Sequence, residues 1–256
     1  MAQFRTHTKV TGAPDYDDPK FWDVRFATGQ DVGEWLNSGE VIIEAALASL
    51  ECTGVESKRP RVLHLGPGLS QLGAKLRDAC LDRQWMANGI VNVDFSAEAV
   101  RQGLEAECKT PPNQAMHWHR ADLLSWNDVS DISPFAPFDV ILDKSTSDAI
   151  STCSDRKIST TDAESLCPTV EQILSTNPVT NLSPVELLAL HLVPLTRKDT
   201  TWIALSYSTL RFDNLPLLGM YWKLRSRTPL KAPAGRVSSS AYTPEVFHWL
   251  YILDRK

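Results

Sequence analysis

The most constraining feature of the chain is a short apolar run, Arg61-Val-Leu-His-Leu65, that stops in Gly66-Pro67-Gly68. A helical pattern follows at once, with Leu72, Leu76 and Ala79 on one face. Buried strand, glycine turn and amphipathic helix together form the opening unit of an α/β fold. The alternation then continues. Residues 89–95 read as a second strand, and Ser96 caps a helix carrying Ala99, Val100 and Leu104. Further strands are expected at 115–119, 138–142 and 201–207, with a weaker one at 221–227 and a last one at 247–253. The predicted fold is a doubly wound, mostly parallel, seven-stranded Rossmann-like α/β sheet finished by a terminal antiparallel hairpin.

Two more helices complete the pattern. One covers 39–52, with Val41, Ile42, Ala45, Ala46 and Leu50. The other opens at Ser183-Pro184-Val-Glu186, a capping box with proline at the first helical position, and is kinked or ended by Pro194. Residues 1–20 are polar, with Asp15, Asp17 and Asp18, and read as a flexible N-terminal arm. Residues 21–256 form one domain, interrupted at 151–182 by a Ser-, Thr-, Asp- and Asn-rich insertion or lid without a clear period.

Composition excludes several classes. A net charge of -5 lacks the basic excess of a phosphate-tracking surface, so no nucleic acid is expected. No apolar run approaches the roughly 20 residues that span a bilayer, and Met1 to Tyr16 has no apolar signal core, so a soluble cytoplasmic protein is expected. Five cysteines without a CxxC pair argue against a disulfide framework or a zinc site. His117 and His119 share a strand face, but no further ligands accompany them, so no metal is expected. Composition leaves open whether the chain is a monomer or an oligomer.

Ligands of such sheets bind outside the carboxyl ends of the strands. Gly66 to Leu72, Asp94 to Ser96, Asp122-Leu123, Asp143 to Asp148 and Ser206-Tyr207 should meet there. The turn glycines let backbone come close to a ligand. A dinucleotide fingerprint wants a third glycine at position 71, which is Gln71, so NAD is disfavoured. Asp94, closing the second strand, suits ribose hydroxyls. The set therefore points to S-adenosylmethionine (SAM), which has no pyrophosphate to cradle.

Four segments carry a resemblance to a known family. They are Phe21-Trp22-Asp23-Val24-Arg25-Phe26 with Glu34-Trp35, Val62 to Leu72, Ile90 to Ser96, and Asp143-Lys144-Ser145-Thr146-Ser147-Asp148-Ala149. The chain resembles class I SAM-dependent methyltransferases, in the branch that includes the methyltransferase-like 13 protein and the elongation factor 1A lysine methyltransferases. The last segment is similar to the branch's Asp-Lys-Gly-Thr-x-Asp-Ala, with Ser145 in place of glycine. The resemblance implies a donor site of Trp22, Arg25, Gly66, Gly68, Ser70, Leu72, Asp94, Phe95, Ser96, Asp122, Leu123, Asp143 and Lys144. Asp143 is the catalytic candidate, beside the methionine part of SAM or orienting an acceptor amine. Trp22, Arg25 and Trp35 close the pocket, with Arg25 on the SAM carboxylate.

Plainer readings stand beside these. Asp143 could cap the following turn, Trp22 and Trp35 could be packing aromatics, and Lys144 could make a structural ion pair. Three functions follow in order. The first is methylation of a protein lysine or N-terminal amine, and the second is O-, N- or S-methylation of a small molecule. The third is a SAM-binding module without catalysis.

Overall fold

A computed structural model describes residues 14–29, 33–54, 58–161, 165–233 and 245–256. Seven strands form the main sheet: β1 (Val62–Leu65), β2 (Ile90–Asp94), β3 (His117–Arg120), β4 (Phe138–Lys144), β7 (Thr196–Ser206), β8 (Trp222–Lys231) and β9 (Phe247–Arg255). Their order is β3-β2-β1-β4-β7-β9-β8. The first five run parallel, and β9 pairs antiparallel with both β7 and β8. The expected mostly parallel sheet with an antiparallel end is therefore present. Its last strand inserts between the fifth and the sixth.

The central strands are buried on both faces, as helices covering both sides require. One face packs against α2 (Glu40–Thr53) and α3 (Leu72–Asp82), through Ile42, Leu50, Leu72 and Leu76. The other carries α8 (Pro184–Leu192) and α9 (Pro216–Tyr221), with Trp202, Phe212, Trp222 and Tyr251 in edge-on contact at centroid separations of 5.0–5.4 Å. Ser96 caps α4 (Ala97–Glu107) by accepting from the Ala99 amide, and the Ser183–Glu186 capping box opens α8. α8 ends at Leu192 and gives way to a 3-10 turn over Val193–Leu195, where the proline removes a donor.

Two segments differ from expectation. Of the N-terminal arm, residues 1–13 lie outside the described residues. Pro14 and Asp15 are exposed, packing begins at Tyr16, and α1 (Pro19–Thr28) begins one residue after Asp18, whose carboxylate accepts from the Lys20 amide. The 151–182 insertion contains regular structure. β5 (Arg156–Ser159) and β6 (Val179–Leu182) form an antiparallel pair, with α7 (Pro168–Leu174) between them. α7 buries Val170, Ile173 and Leu174. Its period was illegible because the helix is short, and because β5 is a polar strand in a sheet of only two. Short α5 (Trp126–Ser130) and α6 (Thr146–Ile150) sit in the loops after β3 and β4. No described helix is long and apolar enough to cross a membrane.

Candidate active site

A cavity of about 800 Å³ lies outside the carboxyl ends of β1, β2, β3, β4 and β7. The turn after β1 forms its floor. Gly66 and Gly68 have φ near +50°, the left-handed region in which side chains are strained. A Cβ on Gly66 would stand 2.4 Å from Thr146 Oγ1, and one on Gly68 would stand 2.9 Å from the Phe26 ring. Backbone, not side chain, therefore meets whatever enters the cavity here.

Asp94 braces that turn. One carboxylate oxygen accepts from the Gly68 amide at 2.9 Å and the other from the Ser96 amide at 2.9 Å. Burial pushes its pKa up to about 6, and the two amide bonds only partly offset this. Asp94 and Phe95 line the cavity, while Ser96 is buried. The Ser96 hydroxyl donates to Asp23 at 2.6 Å, and the Glu98 amide donates to the same oxygen at 3.1 Å. α1 is thereby fastened to the start of α4. Beyond β3, Asp122 and Leu123 line the wall, and Asp122 accepts from the Leu124 amide at 2.8 Å.

The N-terminal segment covers the opening. Trp22 stacks on Tyr16, meets Phe21, Phe26 and Trp35 at 5.3–5.7 Å, and donates its indole N–H to the Tyr16 carbonyl at 3.0 Å. Tyr16, Trp22, Phe26 and Trp35 all face the cavity. Glu34 clamps this cover to the floor. It accepts from the Ser70 hydroxyl at 2.8 Å and the Gln71 amide at 2.7 Å, and it pairs with Lys144. Burial would raise the Glu34 pKa, but the bonds from Lys144, Gln71 and Ser70 outweigh it and hold the carboxyl below its ordinary value.

Several predicted residues support the site without lining it. Leu72 is core, and the Ser70 hydroxyl donates to Glu34 and accepts from the Leu72 amide. Arg25 lies 5.1 Å over the Phe21 ring and is not among the residues around the cavity. α1 sets that side chain beside its own aromatic neighbour. Asp143 is likewise not among the residues around the cavity. It is fully buried, and one of its oxygens accepts from the Thr146 and Ser147 amides at 2.9 and 3.0 Å. Burial pushes it up to about 6, against the Ser147 bond. Asp143 is the cap of the β4–α6 turn and touches no cavity space.

The residue that takes its place facing the cavity is Asp148. Asp148 receives Arg211 at 2.7 Å, the Ser145 hydroxyl at 3.0 Å, the Tyr207 amide at 3.2 Å and the Ser206 hydroxyl at 2.5 Å. Its acceptor positions are filled, so it organises the wall rather than taking a proton. Ser145 holds the left-handed φ of 68° for which a glycine would be unstrained, and its bond to Asp148 secures it. Tyr16, Arg120, Arg156 and Arg211 had no sequence signal, because they converge only through the chain's path. His117 and His119 pack on Phe135 at 4.8 Å, and no metal-ligating cluster exists among the described residues.

No family model matches the chain. Methyltransferase srdJ of Neurospora crassa is 27% identical over 246 residues, covering 95% of this chain and 85% of that protein. The solved structure of N-methyltransferase NodS from Bradyrhizobium japonicum, in complex with S-adenosyl-L-homocysteine, superposes with a TM-score of 0.53 at 10% identity, over 95% of this chain and 99% of that one. A SAM-dependent methyltransferase from Anabaena variabilis gives a TM-score of 0.51 at 10% identity, with 93% of each chain covered. The sheet order and these superpositions are those of the class I methyltransferase fold.

Proposed function

We propose that this SAM-dependent methyltransferase acts on a small-molecule acceptor held in the same chamber as the donor. The observation that carries the reading is the wall at the acceptor end. Thr152 to Arg156 of the insertion, Tyr207 after β7 and the Tyr16–Trp35 cover all line one cavity of about 800 Å³. That volume falls within the range of small-ligand sites, about 300–1,000 Å³. A chamber bounded by three separate segments suits a molecule that enters whole.

SAM, when bound, supplies a methyl group already activated on a cationic sulfur. Methyl transfer then needs alignment more than acid–base work. In this reading Gly66 and Gly68 admit the donor to backbone contact. Asp94 holds ribose hydroxyls, and Asp122 and Leu123 flank the adenine. Trp22 and Trp35 exclude water, and their faces suit a cationic donor. Ser145 and Tyr207, set by Asp148 and Arg211, orient the acceptor.

A protein amine is the second reading, and the resemblance to elongation factor lysine methyltransferases supports it. Asp17 and Asp155 at the cavity would favour a cationic side chain. A lysine must first lose its proton from a pKa of about 10.4, and the saturated Asp148 is poorly suited to accept it.

Tritiated SAM separates the readings, with a metabolite extract and a protein lysate from the source cells run in parallel. Label in a small extractable molecule is expected. Label only in protein bands refutes the small-molecule reading, and SAM binding without any turnover refutes catalysis.

A further inference from the structure

The acceptor end of the cavity carries one aromatic ring that no other ring occupies. Tyr207 follows β7, lines the cavity and is 57% exposed. Its hydroxyl makes no hydrogen bond among the described residues, and no aromatic ring among them packs on it. The cover differs. Tyr16, Trp22 and Trp35 pack on one another at centroid separations of 5.7 Å, so part of each ring is already taken.

The Tyr207 ring is also held in place. Its backbone amide donates to Asp148 at 3.2 Å. The next residue is tied twice: the Ser208 amide donates to the Ser206 hydroxyl at 2.9 Å, and the Ser208 carbonyl accepts from the Tyr251 hydroxyl at 2.6 Å. Arg211 pairs with the buried Asp148 at 2.7 Å, and its guanidinium stands over the Tyr207 ring at 5.6 Å. Arg211 itself does not line the cavity, so the ring meets the open space with the surface that the guanidinium leaves free. A ring braced in this way loses little further freedom when a ligand packs on it. An arene in offset or edge contact gains beyond its buried area. A cation gains less, because Arg211 already draws on the ring's quadrupole and repels a second positive charge.

We propose that Tyr207 is the stacking platform for the methyl acceptor, and that the acceptor is a planar aromatic molecule rather than an aliphatic or cationic one. The inference rests on the small-molecule reading above and adds a substrate class to it.

The test uses the full chain saturated with S-adenosylhomocysteine, with 2-naphthol and its saturated counterpart decahydro-2-naphthol as probes followed by calorimetry. Tyr207→Leu should weaken 2-naphthol by about two- to twelvefold, the worth of one aromatic pair, and leave decahydro-2-naphthol unchanged. Tyr207→Phe keeps the ring and should bind both probes as the wild type does. Both substitutions fall on an exposed side chain, so the fold should persist. The proposal is overturned if 2-naphthol fails to bind the wild type, if Tyr207→Leu binds it undiminished, or if that variant loses both probes equally. It is also overturned if Tyr207→Phe loses as much as Tyr207→Leu. The tritium experiment separates this claim from its premise. A labelled small molecule without aryl absorbance overturns the aromatic assignment alone, whereas label only in protein overturns the small-molecule reading on which it rests.

Discussion

Gly66→Ala offers a quantitative test of how the donor floor is built. Two costs add at this position. A non-glycine residue at φ +51° costs about 1–2 kcal/mol. The new Cβ would also stand 2.4 Å from Thr146 Oγ1 and 2.9 Å from Thr146 Cγ2. Thr146 cannot simply rotate away, because its hydroxyl donates to the Leu65 carbonyl at 2.7 Å and ties the start of α6 to the end of β1. Overpacking of this kind costs about 1–3 kcal/mol. The sum is a loss of about 2–5 kcal/mol, read by urea unfolding, or about 4–20 °C in Tm for a chain of this size. A double-mutant cycle isolates the steric part. Thr146→Ala removes both offending atoms and leaves the nearest at 3.2 Å. Gly66→Ala should therefore cost about 1–3 kcal/mol less in the Thr146→Ala background than in the wild type. Strict additivity would refute the contact as the cause, and a Gly66→Ala protein as stable as wild type would refute the backbone argument as well.

Two further predictions concern the cover and Asp94. Glu34→Gln should loosen the Tyr16–Trp35 cover, remove the only negative charge paired with the Lys144 ammonium among the described residues, and destabilise by about 2 kcal/mol. In stopped-flow displacement S-adenosylhomocysteine should leave the variant faster, and an unchanged off-rate would sink the clamp. Because the Glu34 pKa is depressed, its contribution is present above the ordinary carboxylate value and is lost as pH falls through its lower folded pKa. Asp94, raised to about 6 by burial, has the opposite sign, so the unliganded protein should lose stability as pH rises from about 4 through about 6. On the proposed ribose role of Asp94, SAM affinity should instead strengthen over that interval. Asp143 titrates in the same range, so the diagnostic result is a weak, pH-flat affinity in Asp94→Asn that Asp143→Asn does not share.

The donor half was legible from the chain because it is local. Val62 to Leu65 is a run of buried apolar residues, Gly66 and Gly68 carry the only side chain that the turn tolerates without strain, and Asp94 ends its strand two residues before the Ser96 cap. Each feature is set by neighbours within a few positions, where periodicity, caps and turn chemistry operate. Asp143 shows the limit of that reading. A carboxylate at a strand end can face the ligand or cap the next turn, and only the direction of its side chain separates these. Here the Thr146 and Ser147 amides take it.

The rest depended on contacts distant in the chain. Glu34 reaches Lys144 across 110 positions, Asp148 reaches Arg211 across 63, and His191 reaches the Leu123 carbonyl across 68. No local pattern encodes such meetings, because they arise when the sheet order brings the carboxyl ends of β1, β2, β4 and β7 together. The sequence by itself determined the alternating strands and helices and the glycine floor, since these follow from local sterics and the periodic burial of apolar side chains. The tertiary structure alone decided which carboxylates face the cavity and how the insertion comes to line it, because both depend on how distant segments pack.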